Sequence, residues 1–145
     1  MMRQFLYTGC FFKKRKLFRA VAALRTTPLE KESAFPHVTF AFAPDEVDRS
    51  LFGKQILVRV TGYGSDGRNE GVRVELSCGD PAIAEMIEQI EVPHITLSVS
   101  ADGAPFNTRF LTFHDVPPID LVGTYGGFSR QKRVITYPLH GDSDS

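Results

Sequence analysis

Apolar and polar positions alternate along much of the chain with the two-residue period of a half-buried strand. "QFLYTGCFF", Gln4 to Phe12, reads as the first such strand. The period then changes. In "KKRKLFRAVAALR", Leu17, Phe18, Val21 and Leu24 share one face at helical spacing, and Thr26, Thr27 and Pro28 end the predicted helix. Period two returns in "FPHVTFAF", Phe35 to Phe42. After the polar connection "APDEVDRSLFG", the stretches "KQILVRVTGYG" and "GVRVELSC" predict a hairpin around a Gly-rich turn. "DPAIAEMIEQI" predicts a second helix, with Asp80 as N-cap, Pro81 at the first helical position and Ile83, Ile87 and Ile90 on the buried face. "VPHITLSV", Val92 to Val99, is the next strand. "NTRFLTFHDV" fits neither period, whereas "IDLVGTYGGF" and "RVITYPL" read as a final strand pair. Strands and helices in this order predict an α+β fold with mainly antiparallel sheets flanked by two helices. The domain is expected to occupy residues 1–139, with "HGDSDS", 140–145, as a disordered tail.

Composition narrows the class without deciding it. The chain has 145 residues, 42% of them hydrophobic and 23% charged, as in an ordinary globular domain. Seventeen basic residues balance 17 acidic ones, which argues against bulk electrostatic capture of long duplex nucleic acid. No apolar run approaches the ~20 residues of a membrane-spanning helix, so no membrane partner is expected. "FLYTGCFF" precedes "KKRK", the reverse of the order in a secretory signal, and the expected location is cytoplasmic. Cys10 and Cys78 form no metal or redox spacing; free thiols are expected, with a single disulfide as the alternative.

One phrase occurs twice. Pro36-His37-Val38-Thr39-Phe40 aligns with Pro93-His94-Ile95-Thr96-Leu97. In each, the histidine and the threonine lie on the same face of a strand, and the proline fixes the strand entry. Later, Val60-Thr61-Gly62-Tyr63-Gly64 answers Val122-Gly123-Thr124-Tyr125-Gly126, with Arg73 and Arg133 in the strands that follow. The chain reads as two copies of one unit, and a pseudo-two-fold pair of lobes would bring both histidines to a shared cleft. A single His-x-Thr on a strand is most simply a packed histidine bonded to its neighbour. Two in matched contexts suit phosphodiester hydrolysis. One imidazole removes a proton from the attacking hydroxyl and the other gives one to the leaving oxygen. Two threonine hydroxyls donate to the non-bridging oxygens.

These residues carry a resemblance. PHVTFAF and PHITLSV resemble the two H-x-T-x motifs of the 2H phosphoesterase superfamily, and the similarity extends to domain size and duplication. It implies two lobes with antiparallel sheets and both motifs in the cleft between them. It also implies metal-independent action, without a cofactor, on nucleotide or oligonucleotide substrates such as RNA 2′,3′-cyclic phosphates, RNA 3′ ends or cyclic oligonucleotide signals. His37 and His94 would be the acid–base pair, and Thr39 and Thr96 the phosphate clamps. The alternatives are a 3′ exonuclease or a nuclease of cyclic signalling oligonucleotides using the same residues, and a non-catalytic module that holds phosphate in the same cleft.

Other motifs are weaker. Gly62-Tyr63-Gly64-Ser65-Asp66-Gly67 matches G-x-G-x-x-G, but a strand follows where a dinucleotide site needs a helix. Tyr63 and Tyr125, at matched positions, are candidates for stacking a base, and Arg130 for contacting substrate. The alternative for both tyrosines is core packing. Lys13, Lys14, Arg15, Lys16, Arg19 and Arg25 on the first helix are either a solvated face or a contact for outer phosphates. His114 and His140 lack the repeat context and are expected at the surface. No obligate protein partner is evident.

Overall fold

A computed structural model describes residues 4–138. The expected tail over 140–145, with His140, lies outside the described residues. The elements in chain order are β1 (Phe5–Phe11), α1 (Lys14–Val21), β2 (Lys31–Glu32), β3 (His37–Phe42) and β4 (Gln55–Ser65). They continue with β5 (Asn69–Ser77), α2 (Pro81–Glu88), β6 (His94–Val99), β7 (His114–Ser129) and β8 (Val134–Ile135). All strand pairs are antiparallel, and they form one open sheet in the order β2-β6-β5-β4-β7-β1-β3, with β8 added to β7. The α+β class and antiparallel pairing follow the sequence pattern. The sheet is continuous, and no break in its hydrogen bonding divides it into lobes. No helix among the described residues is long and apolar enough to cross a membrane.

Local chemistry explains the punctuation. Asp80 caps α2 by accepting from the backbone N–H groups of Ala82 (2.9 Å) and Ile83 (3.2 Å). Between β4 and β5, the Asp66 carboxylate accepts from Arg68 N and Asn69 N at 2.9 and 2.8 Å, and Gly67 takes a φ of +85°. Gly62 and Gly64 lie within β4, and a strand follows the turn, so the G-x-G-x-x-G segment is a hairpin. β7 is longer than the sequence pattern predicts, because Pro117 and Pro118 fall inside it. They sit where the register against β4 jumps from Val60↔Ile119 to Gly62↔Asp115, a bulge in which missing N–H donors cost no ladder bond. The core gathers Leu17 and Val21 of α1, Ile83 of α2, and strand residues including Val38, Val58 and Ile95. Cys10 and Cys78 are free thiols; Cys10 is buried and Cys78 half-buried.

One buried charge organises the stretch between α1 and β3. Glu70 on β5 is fully buried. Arg25 grips it with Nη2 at 2.6 Å and Nε at 2.9 Å, Ser98 Oγ donates at 2.6 Å and Tyr63 OH at 2.7 Å. Burial alone would raise the carboxyl pKa, but the donors from Arg25, Ser98 and Tyr63 outweigh it and hold it below the usual value. From Arg25 onward the chain runs along β6. Leu29 N donates to Ser98 Oγ, β2 pairs with β6, and Ser33 gives its N–H to Leu97 O and its hydroxyl to Thr96 O. The connection therefore reaches β3 from the far end of the sheet, against the strand that carries His94.

Removing Arg25 leaves an unpaired buried carboxylate. Arg25→Met is expected to cost about 3–5 kcal/mol in urea unfolding, and Arg25→Met with Glu70→Met to cost less than the single change. A single variant as stable as the parent contradicts this role.

Candidate active site

The strand alternation that marks the two repeats brings them to one place. His37, Thr39, His94 and Thr96 all line a cavity of about 720 Å³, within the range of small-molecule sites. β3 pairs with β1 and β6 with β5 and β2, so the two motif strands face each other without pairing. The walls include Tyr7, Phe35, Phe42, Phe106, Glu91 and Arg109.

The imidazoles are held alike. His37 Nδ1 donates to Phe35 O at 2.8 Å, and His94 Nδ1 donates to Val92 O at 2.7 Å. A carbonyl only accepts, so in both rings Nδ1 carries the proton, and Nε2 is the nitrogen left for a ligand. In each case the acceptor lies just before the proline that enters the strand. Tyr7 stacks on His37 at 4.3 Å between centroids, and Phe11 lies at 5.5 Å. Burial pushes the Tyr7 hydroxyl up to about 12, so this ring stays neutral against the imidazole.

Both histidines titrate below the ordinary value. For His37, burial is the largest cause; it outweighs the Phe35 carbonyl, which favours the proton, and a charge on His94 lowers the value further. For His94, burial again leads, the Val92 carbonyl opposes it, and the Arg109 charge lowers it further. The influence of His94 on His37 fits their shared place in one cavity lining.

The other residues singled out in the sequence are elsewhere. Tyr63 is 1% exposed and serves Glu70; its ring meets His114 edge-on, and His114 is exposed. Tyr125 is 3% exposed and packs on Phe40 and Phe52 at 5.7 and 5.6 Å. Neither lines the cavity, and both occupy the core-packing position. Tyr125 backs the wall, because Phe40 lies between it and the cavity. Arg130 is exposed, gives its N–H to Gln4 O, and is not in the lining. Of the basic helix, Lys13 and Lys16 border a second cavity of about 840 Å³ with Leu57 and Arg59, while Lys14 pairs with Glu32. None of the six helix cations lines the histidine cavity.

Three residues at the site escaped the sequence reading. Tyr7 lies in β1, where the sequence pattern marks only a strand. Arg109 and Thr108 lie in the 3-10 helical turn Pro105–Phe110, the segment without clear periodicity. A usable signal was present: Phe106 and Phe110 flank Arg109 at helical spacing, and both rings receive its guanidinium. Among the described residues no group of three or more His, Cys, Asp and Glu side chains is arranged to hold a metal ion.

Compared with known proteins, the chain matches no protein-family model and no curated protein.

The depressed imidazole values fix a sign. The unfolded chain takes up protons below about pH 6.5, before the native histidines do, so stability is full above that pH and declines as pH falls through it. NMR titration of His37 and His94 is expected to give midpoints below about 6.5. Replacing both by Gln should flatten this part of the stability–pH curve. Midpoints above that value contradict the burial described.

Proposed function

We propose that this chain is a 2H-type phosphodiesterase that hydrolyses a cyclic phosphodiester of a nucleotide or oligonucleotide, such as an RNA 2′,3′-cyclic phosphate. The observation that carries the reading is the matched pair of imidazoles, each tied through Nδ1 and each leaving Nε2 to the same cavity. The topology supports a duplication behind it. Each half of the chain runs strand, helix, His-x-Thr strand, long strand: β1, α1, β3, β4 and then β5, α2, β6, β7, with short β2 inserted in the first. The sheet order outward from the central β4–β7 pair puts β5 then β6 on one side, and β1 then β3 on the other.

In the proposed reaction one neutral Nε2 takes a proton from water as its oxygen attacks phosphorus. The P–O bond to the ribose 2′ or 3′ oxygen breaks, and the other imidazole, as imidazolium, protonates that oxygen. The steps use no metal, and activity is expected to survive EDTA. Thr39 donates to a non-bridging oxygen. The rim suits a nucleoside: Phe35, Phe42 and Phe106 line the cavity yet keep 47%, 64% and 51% of their surface exposed, as faces on which a base stacks. Phe35, Phe42 and Phe106 thus take the stacking role first expected of Tyr63 and Tyr125.

The test is turnover of nucleoside 2′,3′-cyclic phosphates and cyclic oligonucleotides, with products read by phosphorus NMR. His37→Ala and His94→Ala are each expected to lower kcat by about 10²–10⁴, and the double variant to be little worse than either. One ring must be neutral and the other charged, and both values are depressed in the free enzyme. The kcat/KM profile should therefore be a bell centred on the acid side of about pH 6.5. Binding without turnover of any of these substrates would make the protein a phosphate-binding module instead.

A further inference from the structure

The two halves of the site are not alike on the threonine side. Thr39 has no side-chain hydrogen bond among the described residues, and its hydroxyl is free to meet a ligand. Thr96 is committed: its hydroxyl lies 2.7 Å from Thr108 Oγ1 and 3.2 Å from Pro105 O, and its single proton is taken up within this pair of contacts. Thr108 is fully buried, and its oxygen also accepts from Asn69 Nδ2 at 3.0 Å, which in turn reaches Ala104 O at 2.7 Å. The packing that permits this is tight. A Cβ on Gly71 would stand 2.4 Å from Thr108 Cγ2 and 2.7 Å from Ile95 O, so only glycine lets the turn sit this close to β5. The second threonine thus holds down the Pro105–Phe110 turn.

The residue that this anchorage presents to the cavity is Arg109. Its guanidinium lies against Phe106 at 5.1 Å and Phe110 at 5.6 Å, and gives one Nη2 bond to Glu91 Oε1 at 3.1 Å. That contact uses one of five N–H donors and leaves the rest of the fork unoccupied. Among the described residues, Arg109 is also the one Lys or Arg in the cavity lining. A phosphodiester brings one negative charge into a largely apolar space, where an uncompensated charge is costly.

We propose that Arg109 binds the charged non-bridging oxygen of the substrate phosphate on the His94 side, in the place that symmetry with Thr39 would give to Thr96. This rests on the phosphodiesterase reading. Thr96, Thr108 and Asn69 are then positioning residues that fix the arginine's turn. Thr39 and Arg109 are the two phosphate ligands. One hydroxyl and one planar cation suit a singly charged diester.

The test uses dimethyl phosphate, which carries one charge throughout the working pH range, and follows the His37 and His94 imidazole signals by NMR. In the parent protein both signals should shift on titration. Arg109→Gln should raise Kd about tenfold and flatten its dependence on salt, and Arg109→Lys should recover part of the loss. The cation's removal should also raise the His94 titration midpoint. Thr39→Val should weaken binding several-fold, whereas Thr96→Val should mainly lower Tm. If Arg109→Gln unfolds the protein, the Arg109→Lys variant and the salt dependence of the parent carry the test. An unchanged Kd in a folded Arg109 variant overturns this inference and leaves the histidine site standing. Failure of the ligand to shift either imidazole in the parent overturns both.

Discussion

A carboxylate with no exposed surface has to be surrounded by donors, and Glu70 draws them from three directions: Tyr63 on β4, Ser98 on β6, and Arg25 on the connection leaving α1. The first two lie on the strands that flank β5, which carries Glu70 itself. The third joins them to a segment that would otherwise follow its own path, and the cost of leaving the charge unpaired makes that path obligatory. Once Arg25 is docked, Leu29 and Ser33 attach along β6, and the next strand begins beside it. The connection that leads into the first His-x-Thr strand is thus tied to the second by a contact that belongs to neither motif.

The site adds a second use of restrained polarity. Each imidazole is pinned by a carbonyl two residues earlier, at the strand entry, and His37 is held further by Tyr7 of the paired strand β1. That arrangement keeps both rings in one tautomer, and burial lowers the titration of both.

The histidine strands were legible because polar residues on one face of an otherwise apolar strand interrupt a period-two pattern that is easy to read. Asp80 and Pro81 announced α2 through capping chemistry that needs no tertiary context. What escaped the sequence has identifiable causes. Tyr63 is inside because the bulge between Val60 and Gly62 reverses strand parity, so alternation counted from Ile56 and Val58 points the wrong way. Pro117 and Pro118 hide the start of β7, because proline argues against a strand in the sequence. β2 is a two-residue pairing that exists only because β6 is adjacent. Arg109 belongs to a turn whose position is fixed by Asn69, Gly71 and Thr96, all distant in sequence.

The placement of β7 between β4 and β1 has a consequence for how the molecule is made. The first half of the chain contains β1, β3 and β4, yet β4 cannot join the other two until a strand from the second half arrives to bridge them. The first half on its own has an incomplete sheet, whose centre closes only after β7, residues 114–129, has been made. Such distant pairings give a high contact order, with folding expected on the order of milliseconds to seconds. On a ribosome, the cavity would form as one of the last events, after the turn bearing Arg109 and the bridging strand had both emerged.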